Sequence, residues 1–284
     1  MTGKIIVLVD GSIYAESVCH HAAWIGRKTG APIELIHVLG RREAPGSNDL
    51  SGAIRLGART ALMEELAALD AQRAKLVSGR GRAILDDASA IVGQDGNTGI
   101  TTRLRHGDIV ETIAGIEGEA RVIVIGKRGE AADFAKGHLG SNLERIVRAT
   151  HRPVLVAARA FRPIESALVA YDGSTAAMKA VDHISRSSFF ADLAVTLVTV
   201  GADTEDVRDG LADAKATLAA AGIDAEVRIV PGQPEAALGR MVDEEGFGML
   251  VMGAYGHSRI RSFVIGSTTT EMIRSCKVPV LLLR

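Results

Sequence analysis

Short apolar runs recur along the chain, each stopped by a turn and followed by a segment of helical periodicity. Ile5-Ile-Val-Leu-Val9 is a continuous run, as a strand buried on both faces requires, and it stops at Asp10-Gly11-Ser12. Ala167-Leu-Val-Ala-Tyr171, followed by Asp172-Gly173-Ser174, repeats it. Helical patterns come next, over residues 14–29 and 176–190, and then second strands over 33–38 and 195–200. The interval from Asp10 to Val38 equals that from Asp172 to Val200, 28 positions. An interval of that length marks a repeat of domain-sized units rather than a solenoid.

The halves then diverge. Residues 41–99 hold a polar stretch and a helix-forming region over 54–92, with a break expected near Ser78-Gly-Arg-Gly81. The second half has only a short helix there, over 205–221, closed by Gly222. We read residues 41–99 as a helical insertion in the first domain, serving packing or a dimer contact. The pattern re-converges on third strands (101–105, 225–230), helices (109–117, 235–245) and fourth strands (121–125, 248–252). A last helix and a closing strand follow in each half, Arg152-Pro-Val-Leu-Val156 and Val278-Pro-Val-Leu-Leu-Leu283. Their prolines fall at the strand start, where a missing donor is tolerated. Strands alternating with helices predict an α/β fold of two tandem five-stranded parallel sheets, Rossmann-like and doubly wound. The domains are expected over 1–160 and 161–284.

Composition narrows the function. A net charge of −1 and 4% aromatic residues argue against a nucleic-acid surface. Cys19 and Cys276, the only cysteines, read as thiols of a reducing compartment. The N-terminal stretch lacks the features of a signal peptide, and apolar runs are far shorter than a membrane span of about 20 residues. The expected setting is the cytoplasm, away from membranes.

The fourth strand of the second half leads into Gly253-Ala-Tyr-Gly256, and Gly266-Ser267-Thr268 opens the next helix. Glycines so placed let bare backbone approach an anion and then offer it a helix N-terminus. An imperfect copy in the first half reads Gly126-Lys-Arg-Gly129, then Gly140-Ser141-Asn142. Asp10 and Asp172, at the ends of the first strands, suit ribose hydroxyls rather than phosphates. Together these features point to a nucleotide, with Ser267 as a plain N-cap being the bland alternative. His257, Arg259 and Arg261 within the loop are either phosphate contacts or solvated side chains. No Walker loop follows a strand, adjacent His20 and His21 make a poor metal pair, and no catalytic residue stands out.

The spacing of Gly253, Gly256, Gly266 and Ser267 resembles the nucleotide signature of the universal stress protein family. So do the opening Val-Asp-Gly-Ser, His37-Val38 at the end of the second strand, and the closing Arg-Pro-Val-Leu-Val. Two copies resemble the tandem members of that family. The resemblance implies ATP, ADP or AMP in a cleft at the strand ends, with Mg as an accompanying ion. It places Asp10 and Asp172 by ribose and adenine, and the backbones of Val38 and Val200 at the adenine. Gly253, Gly256, Gly266, Ser267 and Thr268 would hold phosphates, with Gly126, Gly129, Gly140, Ser141 and Asn142 as first-half counterparts. It also implies pairing through the last strands, within one chain as a pseudo-dimer, and the two-domain chain is expected to form a homo-dimer. The first-half loop departs from the signature, with ten residues rather than nine between Gly129 and Gly140. Glu130 and Asp133 add negative charge there, offset by Lys127, Arg128 and Lys136. The second domain is therefore expected to be the better site. The function implied is a nucleotide-binding stress regulator with an unidentified protein partner. The alternatives are a weak ATPase or other nucleotide-processing enzyme, and a structural module that binds no nucleotide.

Overall fold

A computed structural model describes residues 3–40, 58–130, 140–254 and 266–284. In the first half these form β1 (Lys4–Leu8), α1 (Ala15–Thr29), β2 (Ile33–Leu39), α2 (Ala58–Gln94), β3 (Ile100–His106), α3 (Ile109–Ala114), β4 (Ala120–Gly126), α4 (Ser141–Ala149) and β5 (Val154–Ala157). The second half repeats the order with β6 (Ser166–Ala170), α5 (Thr175–Ser185), β7 (Ala194–Val200), α6 (Glu205–Ala220), β8 (Ala225–Val230), α7 (Pro234–Glu245), β9 (Met249–Gly253), α8 (Ser267–Ser275) and β10 (Val280–Leu283).

All ten strands join one sheet in the order β3-β2-β1-β4-β5-β10-β9-β6-β7-β8. Within each half the pairings are parallel. The halves meet at β5 and β10, which run antiparallel with Leu155 opposite Leu281. Every residue of both strands is buried. Burying one such aliphatic side chain stabilises by roughly 1.5–3 kcal/mol relative to exposure, so this seam belongs to the core of the native state.

Alternation along the strands sends Ile5 and Val7 to one face and Ile6 and Leu8 to the other, and helices cover both. Buried residues of α1, α2, α5 and α6 lie on the first face, those of α3, α4, α7 and α8 on the second. The face clusters each run through both halves. On the first face Trp24 of α1 meets Phe189 edge-on, with ring centroids 4.7 Å apart. Phe189 lies in a 3₁₀ turn, Ser188–Phe190. The helix predicted to reach residue 190 thus ends at Ser185, and the aromatic pair turns inward beneath the other half.

The break expected at residues 78–81 does not occur: α2 is one helix of 37 residues. Its last part, with Leu85, Ala88 and Val92 buried, is the crossover between β2 and β3, the place α6 takes in the second half. Gly81 is there for close packing rather than for a turn. A Cβ at this position would stand 2.7 Å from Leu104 Cδ1 and 3.0 Å from His37 Cδ2.

Lateral contacts fasten the two halves further. Lys127, directly after β4, is buried, and its Nζ donates to the carbonyl of Cys276 at the end of α8. In the opposite direction Arg284 donates from Nη1 to the carbonyls of Arg148 and Thr150, at the end of α4, at 3.0 Å each. A cation at a helix C-terminus satisfies open carbonyls and complements the dipole. Each half therefore caps a helix of the other.

Candidate functional site at the strand ends

Just past β1, the Asp10 side chain folds back on its own turn: Oδ1 accepts from the Ser12 amide at 3.0 Å. Asp172 does the same with the Ser174 amide at 3.0 Å. Next door, the last carbonyl before each aspartate is held by a buried side chain of the second strand. His37 Nδ1 donates to the Val9 carbonyl at 2.8 Å, and Thr199 Oγ1 donates to the Tyr171 carbonyl at 2.8 Å. The two halves thus position their first-strand ends by the same device with different residues.

In the first half these ends, the ends of β2 and β4, and the start of α4 surround a cleft of about 470 Å³. Asp10, Val38, Gly126, Gly129, Gly140, Ser141 and Asn142, spread over the sequence, all line it. The helix α4 begins at Gly140, which has extended backbone and no side chain to cap the first amides. Ser141 and Asn142 are exposed, so the first amides of α4 open toward the cleft as an anion site would require. Gly129 allows the loop to touch the acid: a Cβ there would stand 2.9 Å from Asp10 Oδ2. That oxygen accepts from the Glu130 amide at 3.2 Å.

Charge in this cleft is internally compensated. The Glu130 carboxylate pairs with Arg80 of α2 rather than with Lys127, which is turned away into the contact between halves. Burial pulls the Lys127 ammonium below the usual lysine range. Arg128 remains on the cleft wall, whereas Asp133 and Lys136 lie outside the described residues. On the far side Asp108 caps α3, accepting from the Val110 and Glu111 amides, and pairs with Arg145 of α4 at 2.7 Å. The hydrogen bond from Arg145 holds the Asp108 carboxyl below the usual carboxylate range. Arg80 and the Asp108–Arg145 pair escaped the sequence reading. Arg80 sits in the Gly-Arg-Gly taken for a break. Asp108 before a helical pattern is an N-cap signal, but nothing in the spacing announces Arg145.

In the second half Asp172 follows β6, Val200 ends β7 and Gly253 ends β9, and these strands are adjacent in the sheet. Gly266 occupies the N-cap of α8 with no side-chain cap, so Ser267 and Thr268 begin the helix as Ser141 and Asn142 do in α4. The Thr268 hydroxyl donates to Glu235 of α7 at 2.6 Å and is thereby held by the protein itself. The next threonine, Thr269, is buried and donates to the Gly253 carbonyl at 3.2 Å, pinning helix start to strand end. Gly256, His257, Arg259 and Arg261 lie outside the described residues.

His20 and His21 go separate ways: His20 Nδ1 meets Asp95 at 2.7 Å, while His21 is fully buried. Among the described residues no group of three or more His, Cys, Asp and Glu side chains could hold a metal ion.

Two copies of a five-stranded α/β unit, each with an aspartate after its first strand and a helix start without a side-chain cap at the strand ends, define a duplicated α/β protein. The sequence model of the Universal stress protein family matches residues 1–158 and 191–284. The chain belongs to the universal stress protein family. It is 37% identical to Universal stress protein Slr1230 of Synechocystis sp. over 99% of this chain and 99% of that protein. Universal stress protein MJ0577 of Methanocaldococcus jannaschii is 26% identical over 81 residues, 28% of this chain and 50% of that protein. The crystal structure of a universal stress protein from Archaeoglobus fulgidus shares the fold, with TM-score 0.73 at 21% identity, over 100% of this chain and 99% of that one. The family match passes over β6 and α5, yet the sheet puts them where β1 and α1 stand in the first half.

Proposed function

We propose that this protein binds adenine nucleotides at the carboxyl ends of its strands, one site per half, and acts as a stress-response regulator through their occupancy. The observation that carries the reading is the cleft bounded by Asp10, Val38 and the uncapped start of α4. An acceptor for ribose hydroxyls, backbone for the base and free amides for phosphate stand in one concavity. The backbone plan recurs around Asp172, Val200 and Gly266. ATP, ADP and AMP all fit this division of labour, and a magnesium ion would accompany the phosphates.

Binding rather than turnover is the reading because the cleft's candidate bases are engaged. Asp10 accepts two amides, Asp108 and Glu130 are ion-paired, and His37 is buried with its Nδ1 held on the Val9 carbonyl. A general base needs a free lone pair beside an ordered water. Two free, buried thiols fit a cytoplasmic setting.

The test is to denature the purified protein, identify any released small molecule by mass spectrometry, and titrate the empty protein with ATP by calorimetry. Asp10→Ala and Asp172→Ala should each weaken one site about tenfold or more, as loss of hydrogen bonds to a buried ligand does. No released nucleotide together with no calorimetric binding would sink the proposal.

A further inference from the structure

The long helix α2 has two unlike parts. From Gly81 onward it packs on the sheet, burying Leu85, Ala88 and Val92. Arg80 already stands level with the strand ends, since it pairs with Glu130 beside Gly11. At 1.5 Å per residue, the residues before it extend the helix by about 30 Å past that edge. Four large apolar side chains are exposed among the described residues, and three of them, Met63 (55%), Leu69 (56%) and Leu76 (69%), lie on this extension. A bare helix of this length is marginal in water and draws its stability from a packed face.

The extension carries such a face. Leu62, Leu66, Leu69, Arg73 and Leu76 follow one another at intervals of 4, 3, 4 and 3, the seam of a two-helix coiled coil. Its charge is divided along its length. Glu64, Glu65 and Asp70 occupy the first part, Arg73 and Lys75 the second. Two parallel copies would set acid against acid. Two antiparallel copies, with Leu66 opposite the partner's Leu76, lay residues 64–70 along residues 72–78 of the other helix and so match opposite charges. The same register puts Arg73 beside the partner's Asp70, a polar point that fixes alignment.

We propose that residues 62–80 of α2 form a self-association surface that pairs antiparallel with the same stretch of a second copy of this chain. The contact is isologous and closes at a two-fold axis, giving a dimer and no larger array. It is independent of the β5–β10 seam, which is used up within one chain, and it does not rest on nucleotide binding.

Sedimentation of the full chain over a concentration series up to about 100 µM reads the association directly. A concentration-dependent dimer is expected. Leu69→Lys with Leu76→Lys, at exposed positions, should raise its dissociation constant about tenfold or more, because a charge in an apolar seam is costly. Circular dichroism reports whether that variant keeps its fold. Orientation is read separately with Leu66→Cys and Leu76→Cys. Mixed, the two variants should form a disulfide-linked pair. Leu66→Cys alone should not, its copies lying about 15 Å apart along the seam. A chain that stays monomeric throughout overturns the proposal. So does a dimer indifferent to the lysines, or preferential self-linking of Leu66→Cys.

Discussion

His21 donates its Nδ1 hydrogen to the Ser17 carbonyl at 2.6 Å, and its Nε2 is buried without a hydrogen-bond partner. Ser17 in turn donates to the Ala158 carbonyl at 2.8 Å, and Phe161 packs edge-on against the imidazole, so the residue sits where α1 grips the connection between halves. Burial foremost, with His20 beside it, lowers the His21 pKa to about 4. The folded value lies below the unfolded one, so between them only the unfolded chain binds the proton. Stability should therefore be complete above about pH 6.5 and decline toward about pH 4, with a slope of up to about 1.4 kcal/mol per pH unit. His183, lowered to about 4 chiefly by burial, acts in the same direction. His21→Asn keeps a donor for Ser17 and removes the titration. Urea unfolding of this variant at about pH 4.5 and 6.5 should show a smaller difference between the two values than the parent. An unchanged difference would mean that His21 does not titrate in this window.

At the scale of elements, Gly79 and Gly81 of α2 make a paired experiment. A Cβ on Gly79 meets nothing within 4 Å, whereas one on Gly81 strikes Leu104 and His37. Gly79→Ala should stabilise by about 0.5–1 kcal/mol through helix propensity alone. Gly81→Ala adds overpacking of about 1–3 kcal/mol to the same gain and should come out neutral to destabilising. Equilibrium denaturation of both variants checks the order. These two glycines also mark where the sequence stopped being readable. Runs such as Ile5–Val9 and Met249–Met252 declare strands because burial on both faces leaves no polar position. Gly-Arg-Gly, by contrast, is locally a break, and only Leu104 and His37, brought in by other strands, explain why a continuous helix carries Gly81. The aspartates and glycines that ring the cleft were legible because strand ends demand them. The pairing of Glu130 with Arg80, fifty residues apart, was not, since it depends on α2 running unbroken past the cleft.

For the whole molecule, the sheet order predicts that neither half is self-sufficient. Separating β5 from β10 would leave each half with an exposed, wholly apolar edge strand, an invitation to aggregate or pair. Produced apart, residues 1–160 and 161–284 should each self-associate or precipitate. Produced together, they should co-purify one to one. Gel filtration distinguishes these outcomes, and two stable monomeric halves would contradict the reading of the seam as core.

The crossed helix caps have a consequence for how the halves could diverge. In a symmetric pair every residue is present twice, so any change at the contact is made on both sides at once. Here Lys127 is matched at the equivalent position by Ala254, and Arg284 by Ala158. The two caps come from unrelated places in the repeat, a lysine after the fourth strand and an arginine after the fifth. Joining the copies in one chain freed each from having to be its own partner. They are no longer interchangeable: a chain carrying the first half twice would have two lysines and no arginine for these helix ends.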